Sequence, residues 1–209
     1  MDETLLLRIN QGWVHPALDA LFGYLSWYAG FGLPLLALLL VWLAWRWRAA
    51  GLKLGLALIL VVATGETLGQ FAKDLLQQPH PCHAAGLGDE SPAALGQSTV
   101  RDSPSGAHVR LPPGVECRTP LAGMPSNHAL NYFAAAAFLG AALRRRGLTA
   151  ALLAAATLVA LSRVYLGLHY PSQVLAGAAL GSALGLAAAG LGARFLPFLR
   201  RWLAACRTQ

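Results

Sequence analysis

Residues 161–173 read Leu161-Ser162-Arg163-Val164-Tyr165-Leu166-Gly167-Leu168-His169-Tyr170-Pro171-Ser172-Gln173. An apolar run ends here on an arginine, passes through a short turn that holds a histidine, and continues into a second apolar run. Arg163 ends one predicted helix, and Pro171 suits the first turn of the next helix, where no N–H donor is needed. The guanidinium fork and the free N–H groups of a helix start both favour a phosphate-like anion. The structural alternative is an arginine that reaches for the membrane interface and a loop histidine.

The composition is typical of an integral membrane protein. Of 209 residues, 56% are hydrophobic and 12% are charged, and the mean hydropathy is +0.51. The formal net charge of +7 would also suit a nucleic acid, but the positive residues flank apolar runs, as membrane topology requires. We therefore expect one domain, 1–209, surrounded by membrane lipids and without a nucleic-acid partner. The sequence leaves the oligomeric state open.

Segments long enough to cross a bilayer, about 17–25 residues each, predict an all-α, polytopic bundle of five transmembrane helices. They are 28–47, 52–71, 128–143, 148–164 and 172–195. Residues 1–27 are interpreted as one or two short amphipathic helices in the interface. Leu18, Leu21, Phe22 and Leu25 repeat there at helical spacing. A sixth span is the alternative, but residues such as Arg8 and Asp19 are costly in lipid.

The positive residues predict the orientation. Ten of the sixteen lysines and arginines lie on one predicted side: Arg46, Arg48, Lys53, Arg144, Arg145, Arg146, Arg194, Arg200, Arg201 and Arg207. That side is expected to be cytoplasmic. All six histidines fall toward the other side. We therefore expect a protein of a bacterial inner or plasma membrane, with its chemistry facing the periplasm or the cell exterior.

The second predicted span becomes polar as it ends. Glu66, Gln70 and Lys73 follow a helical stripe and are expected to line one face. An ionisable residue inside a membrane is a functional candidate. The alternative for Glu66 is a structural contact with a neighbouring helix, through Arg163 or a hydroxyl group.

A long segment, 75–125, is predicted to be an outward-facing loop, and loops of this length are usually functional or mobile. It carries Cys82 and Cys117. Two cysteines on an oxidising face suggest a disulfide, with free thiols as the alternative. The segment Pro104-Ser105-Gly106-Ala107-His108 is interpreted as plain loop, because no apolar helix follows it.

A second histidine site opens the third span with Gly123-Met124-Pro125-Ser126-Asn127-His128. Proline, serine and asparagine are typical of a helix start, and they place a hydroxyl, an amide and an imidazole at its positive end. Each polar cluster, at 73–81, 125–128 and 162–169, lies where a span meets the outer interface. The three helix ends are therefore expected to converge on one anion.

These clusters, in this order, resemble the signature of the type 2 phosphatidic acid phosphatase superfamily, which includes membrane lipid phosphatases and haloperoxidases. The family pattern is Lys, six residues, Arg-Pro; then Pro-Ser-Gly-His; then Ser-Arg, five residues, His, three residues, Asp. The chain has Lys73 and, after six residues, His80-Pro81; Pro125-Ser126-Asn127-His128; and Ser162-Arg163, His169 and Gln173 at the family's spacing. The resemblance extends from the second span to the start of the fifth.

The resemblance implies a helical bundle that hydrolyses a phosphate ester or pyrophosphate without a metal or another cofactor. It implies that His169 is the nucleophile that forms a phosphohistidine and that His128 is the acid that protonates the leaving oxygen. Lys73, Ser126, Arg163 and the backbone of Asn127 correspond to the phosphate cradle. Phosphoryl transfer mainly needs positioning and donors on the phosphoryl oxygens, which agrees with this set.

Three positions depart from the family pattern. His80 stands where the family has arginine, so a permanent charge is replaced by a side chain whose unperturbed pKa is about 6.5. Asn127 replaces glycine, which keeps the backbone N–H but narrows the approach. Gln173 replaces the aspartate that orients the nucleophile; its carbonyl still accepts an imidazole N–H but carries no charge.

The predicted function is a lipid phosphatase of the outer leaflet, with a phosphorylated lipid such as a polyprenyl pyrophosphate or phosphatidate as its partner. The first alternative is a weakly active or inactive relative that binds anionic lipid. The second is a metal-dependent enzyme or transporter that uses the outward histidines, although His80 and His83 lie in a proline-broken segment without an acidic cage.

Overall fold

The computed structural model describes residues 1–84, 99–102, 108–117 and 121–195. The basic residues Arg200, Arg201 and Arg207 lie outside the described residues, as do segments 85–98, 103–107 and 118–120 of the predicted loop. The elements are α1 (Asp2–Asn10), α2 (Pro16–Ser26), a π-helical turn (Tyr28–Gly32), α3 (Leu33–Leu76), α4 (Pro81–Ala84), β1 (Thr99–Asp102), β2 (His108–Leu111), α5 (Asn127–Leu143), α6 (Arg146–Tyr165) and α7 (Pro171–Phe195).

Helix α3, together with the π-helical turn before it, covers both of the first two predicted spans. It is interrupted at Arg48, whose backbone has φ 49° and ψ −128°. The chain reverses there, since a Cβ added to Gly51 would lie 1.9 Å from Leu43 O and one on Gly55 would lie 2.9 Å from Leu40 Cδ2. Arg48 thus divides α3 into two arms. The second arm extends beyond residue 71, the predicted end of the second span, and stops at Gln77, where φ is 44° and the backbone N–H donates to Lys73 O.

Helix α5 lies at the centre of the bundle and packs against α3, α6 and α7. It has 17 residues, or roughly 25 Å at the α-helical rise, which is short for a bilayer. Three segments of the described chain are long and apolar enough to cross a membrane, namely Ala29–Ala84, Arg146–Tyr165 and Pro171–Gly192. The protein is therefore a helical membrane protein in which a short central helix is enclosed by longer ones.

Helices α5 and α7 run parallel and are in close contact. A Cβ added to Gly177, Gly181 or Gly185 would lie 2.5, 2.1 and 2.3 Å from the carbonyl oxygens of Ser126, Leu130 and Ala134, respectively. A glycine at every fourth position permits backbone contact between membrane helices. Successive residues of α7 contact successive residues of α5 in the same order, so the two helices start at the same end of the bundle.

The N-terminal region forms two short helices, α1 and α2, neither of which is long enough to cross a bilayer by itself. Phe22 and Leu25 are buried, whereas Leu21 and Trp27 remain 47% and 60% exposed. One face of α2 therefore packs on the bundle, and the other presents large apolar side chains outward.

A buried polar network attaches these helices to the bundle. The Asn10 amide donates to the carbonyl oxygens of Arg110 (2.8 Å) and Tyr165 (2.7 Å), and its Oδ1 accepts from Arg110 N at 2.7 Å. Arg110 donates with both terminal nitrogens to the Asp19 carboxylate, which also accepts from Tyr165 OH at 2.7 Å. The hydrogen bond from Arg110 holds the pKa of Asp19 below its ordinary value, against burial, which raises it. These contacts explain how Asp19, which would be costly in lipid, is accommodated.

The described part of the predicted long loop adds one short pair of strands to an otherwise helical fold. Strands β1 and β2 form an antiparallel pair in which Thr99 is opposite Leu111 and Asp102 is opposite His108. The interpretation of His108 as plain loop is wrong for its backbone, because His108 begins β2. Val109 and Leu111 are buried in the main core, and Arg110 between them is buried in the polar network, so β2 anchors the pair. A strand of four residues is too short to predict from the sequence.

Cys82 and Cys117 form a disulfide in the structure, with their Cα atoms 6.1 Å apart. It joins α4 to the segment that follows β2. The bond holds this part of the loop next to His80.

We expect Asn10→Ala to lower the free energy of unfolding by roughly 2–4 kcal/mol, because several buried partners lose their hydrogen bonds. Asn10 is fully buried. Thermal unfolding of the purified protein in detergent measures the effect, and Thr4→Ala, an exposed position on the same helix, is the control. Equal melting temperatures for the two variants would contradict the structural role of the network.

Candidate active site

His169 lies in the turn between α6 and α7 and is 3% exposed. The turn depends on Gly167, whose φ is +73° and which has no room for a Cβ, since that atom would lie 2.9 Å from Arg110 O. His169 Nδ1 lies 2.9 Å from Gly123 O and 3.2 Å from Gln173 Oε1. Both oxygens are acceptors, so Nδ1 carries the ring proton of the neutral imidazole. Nε2 is therefore left with the lone pair of a nucleophile.

The orientation of the Gln173 amide is fixed on both sides. Its Oε1 also accepts from Tyr170 N at 3.2 Å, and its Nε2 donates to Pro79 O at 3.0 Å. Gly123 is needed here, because a Cβ would lie 2.4 Å from Gln173 Nε2. Gln173 Oε1 is therefore held within hydrogen-bond distance of His169 Nδ1, and it carries no charge.

His169 is surrounded by positive or titratable groups. Burial, and then the charge of Arg163, holds the pKa of His169 well below its ordinary value of 6.5. The His80 ring stands edge-on to it, with the centroids 4.5 Å apart, and His80 Nδ1 bonds to Leu168 O at 2.5 Å. The nucleophile candidate is thus neutral near pH 7, and His80 lies directly beside it.

The start of α5 supplies the second group of candidates. Ser126 is fully buried, and its backbone N–H donates to Gln173 O at 3.0 Å, which ties the start of α5 to the first turn of α7. Ser126 Oγ has no hydrogen-bond partner within the described part of the chain. A buried hydroxyl at a helix start, together with two parallel helix N-termini, favours an anion at this point.

His128 and Arg163 meet at one residue that the sequence did not single out. His128 Nε2 lies 3.1 Å from Ser26 O, and Arg163 donates from Nη1 to Ser26 Oγ. Ser26 is the last residue of α2. No sequence motif marks it, because its role depends on where α2 packs.

The candidates line two neighbouring cavities. The helix-side cavity, between α3 and α5, has a volume of about 640 Å³ and includes Glu66, Lys73, Asn127 and His169 in its lining. The loop-side cavity, between α2 and residues 113–117, has a volume of about 730 Å³. His80, His128 and Arg163 line both. The structure thus brings residues of all three sequence clusters together, whereas Ser126 is fully buried and lines neither cavity.

Glu66 also lies in the helix-side cavity, but its partners differ from those expected. Its Oε1 and Oε2 accept from Asn127 Nδ2 and Asn131 Nδ2, each at 2.7 Å, rather than from Arg163 or a hydroxyl. The Asn127 side chain turns to α3 and packs on Gly69. Gln70 was expected on the same lining face, but it donates to Asp74 on its own helix at 3.1 Å.

Comparison with known proteins identifies the family. The profile of the PAP2 superfamily matches residues 50–195, most of the chain. The chain belongs to the PAP2 superfamily. The matched region contains all three clusters of site residues.

Solved PAP2 structures share the fold. The crystal structure of Aquifex aeolicus LpxE superposes with a TM-score of 0.62 at 25% identity and covers 88% of this chain and 92% of that one. The first transmembrane PAP2-type phosphatidylglycerolphosphate phosphatase, from Bacillus subtilis, superposes with a TM-score of 0.63 at 22% identity and covers 92% and 85%, respectively.

A curated relative matches over a shorter stretch. Lipid A 4'-phosphatase of Bacteroides thetaiotaomicron is 44% identical over 59 residues, which is 28% of this chain and 26% of that protein. The chain therefore matches about a quarter of that relative's length.

We expect Gln173→Asp to move the acid limb of the pH profile of kcat/KM to higher pH. The new carboxylate would stabilise the imidazolium of His169 and raise its pKa, by roughly one unit or more for a charge at this distance. Since the nucleophile must be neutral, activity would be lost earlier as the pH falls. Rates measured from pH 4 to 9 test this shift, with Gln173→Asn as the uncharged control. An acid limb that stays in place would mean that His169 is not the group that titrates.

Proposed function

We propose that this PAP2 protein is an integral membrane lipid phosphatase that hydrolyses a phosphate monoester or pyrophosphate through a phosphohistidine on His169. The observation that carries the proposal is the state of His169. Two acceptors hold Nδ1, so the lone pair of Nε2 is available in a cavity that also contains Lys73 and Arg163.

In the proposed reaction, Lys73, Arg163, Ser126 Oγ and the N–H groups at the start of α5 bind the phosphoryl oxygens. His169 Nε2 attacks phosphorus while the bond to the leaving oxygen breaks, and His128, which enters as the imidazolium, donates its Nε2 proton to that oxygen and becomes neutral. Water then attacks the phosphohistidine, and His128 takes a proton from that water. Inorganic phosphate leaves, and both histidines return to their starting state.

His128 needs its proton to point at the leaving oxygen. The carbonyl of Ser26 accepts only, so the hydrogen bond at 3.1 Å is consistent with a proton on Nε2. A leaving oxygen near Ser26 O would meet that proton. His80, beside His169 and lining both cavities, is proposed to contribute to phosphate binding as a cation when it is protonated.

The lipid nature of the substrate is inferred from the setting of the site. The helix-side cavity is lined partly by apolar residues of α3 and α5, including Leu36, Ile59 and Val62. The relatives named above act on lipid A and on phosphatidylglycerolphosphate, both phosphorylated lipids. Phosphatidate and polyprenyl pyrophosphate remain candidate substrates.

The orientation is also a proposal. We place the two arms of α3 and helices α5, α6 and α7 across the membrane as five spans, with α1 and α2 in the outer interface. The basic residues near Arg48 and Arg145 would then be cytoplasmic, and the site would face the periplasm or the cell exterior. The exposed Trp13 and Trp27 suit an interfacial position.

We expect His169→Ala to reduce phosphate release at least about a thousandfold, since it removes the nucleophile. The reaction should continue in EDTA with the unchanged protein. The assay uses a detergent-dispersed phospholipid phosphate and acid-quench trapping of a phosphohistidine. The control is His83→Ala, a histidine that is absent from the lining of both cavities. A phosphoryl group trapped on another residue would refute the mechanism, and a wild type without turnover would favour a lipid-binding relative.

We expect a cysteine at position 121 to react with a membrane-impermeant thiol reagent in intact cells, and one at position 146 to react only after permeabilisation. Leu121 is 54% exposed on the histidine side, and Arg146 is exposed at the start of α6. Both substitutions are made in a Cys206→Ser background. The reverse labelling pattern would invert the proposed orientation.

A further inference from the structure

Glu66 is an acidic side chain in a cavity whose other charged groups suit an anion. It lines the helix-side cavity with Lys73, Arg163 and His169. Like charges repel, so a carboxylate here weakens the binding of a bare phosphate. We propose that Glu66 is a specificity residue that accepts a hydrogen bond from a hydroxyl or amide N–H of the head group, next to the scissile phosphate. This inference rests on the proposed lipid phosphatase function.

The carboxylate is held in a defined position. Asn127 and Asn131, one helical turn apart on α5, each donate an amide hydrogen to one of its oxygens at 2.7 Å. Gly65 and Gly69 on α3 allow this approach, because a Cβ on either would lie within 2.7 Å of an asparagine oxygen. Each carboxylate oxygen offers about two acceptor positions, so one on each oxygen remains. Glu66 is exposed and faces the helix-side cavity, so a substrate donor can reach these positions.

Glu66 lies on α3 between the position expected for the phosphate and the position expected for the acyl chain of a lipid. Lys73 lies seven residues further along the helix, roughly 10 Å away. Val62 lies about one turn in the other direction, where the helix-side cavity meets an apolar groove that shares Leu36, Val62 and Tyr132 with it. A phosphate at Lys73 and an acyl chain at Val62 would bring the intervening head-group atoms to Glu66.

The chemistry of the carboxylate then selects among lipids. A second phosphate at this depth would meet a negative charge and be disfavoured. A head group with no donor would desolvate the carboxylate without replacing its water contacts, which costs more than a hydrogen bond gains. A sugar or glycerol with a free hydroxyl, or a sugar with an amide N–H, would satisfy it. The favoured substrate class is thus a phosphate monoester on a carrier with such a donor on a neighbouring carbon.

Glu66 also joins α3 to α5, and the test must separate this structural role from recognition. Loss of the junction would lower turnover of every lipid by a similar factor. Loss of a hydrogen bond to the head group would lower turnover only of lipids that carry the donor. The ratio of kcat/KM between matched lipids therefore reports recognition alone.

The experiment uses two pairs of lipids with the full-length protein in detergent. The first pair is lysophosphatidate, with a hydroxyl beside the phosphorylated carbon, and acyl-propanediol phosphate, which lacks only that hydroxyl. The second is a phosphorylated N-acylglucosamine and its counterpart without the neighbouring hydroxyl. We expect the wild type to prefer the hydroxyl-bearing member of at least one pair by about tenfold or more. The pair with the larger preference identifies the donor as glycerol or sugar.

Glu66→Ala should bring this preference close to one, and Glu66→Gln, which retains an uncharged acceptor, should reduce it several-fold. Asn131→Leu removes one of the two hydrogen bonds that position Glu66 but leaves the carboxylate, so this variant should keep most of the preference for the hydroxyl-bearing lipid. Gln70→Ala, one turn along α3 and absent from the lining of the helix-side cavity, should behave as the wild type.

Three results would overturn the inference: no preference in either pair, an unchanged preference in both Glu66 variants, or a preference lost as fully in Asn131→Leu as in Glu66→Ala. In each case turnover of the lipids would leave the proposed function standing. If the wild type hydrolyses none of the four lipids, the proposed function fails, and this inference fails with it.

Discussion

The parallel contact between α5 and α7 is the constraint on which the site depends. Gly177, Gly181 and Gly185 lie against carbonyl oxygens of α5 with no room for a side chain. Two helices with larger residues at this seam would be separated by the additional side chains. Because both helices start at the same end, the residue before α7 and the residues that open α5 meet there. The hydrogen bond from Ser126 N to Gln173 O fixes their register, and two positive helix ends point at one place.

The charges of the site are distributed unevenly along the axis of the bundle. Lys73 and Arg163 supply positive charge. Burial, and then the charge of Arg163, lowers the pKa of His169 and keeps it neutral. The His169 ring is oriented by the carbonyl oxygen of Gly123 and the amide oxygen of Gln173. The neutral imidazole is therefore held in place by two uncharged acceptors. The negative charge lies deeper, on Glu66, between two amides of α5. A phosphate and the group attached to it therefore meet different electrostatic surroundings.

The N-terminal helices and the strand pair act together as a cover for this end of the bundle. Asn10, Asp19, Arg110 and Tyr165 join them to the last turn of α6, and Asp2 binds the first turn of α7 through Ser172. The Cys82–Cys117 disulfide adds a covalent link. Through Ser26, the end of α2 touches both His128 and Arg163. The cover thus contributes directly to the site, although it lies mostly outside the matched family region.

The sequence alone determined the membrane class, the positions of the long helices and the three polar clusters, because apolar length, charge placement and motif spacing are local properties. It also marked Glu66 as unusual, since an acid in an apolar run is costly wherever the helix packs. The glycine repeat of α7 was recognised as a close-packing seam only from its contacts with α5 in the structure. Only the tertiary structure decided that Asn131 holds Glu66, that Ser26 reaches His128 and Arg163, and that Arg110 of β2 donates a hydrogen bond to Tyr165. Each of these contacts joins residues more than 50 positions apart, and such pairings arise when whole helix faces pack, which no local pattern encodes.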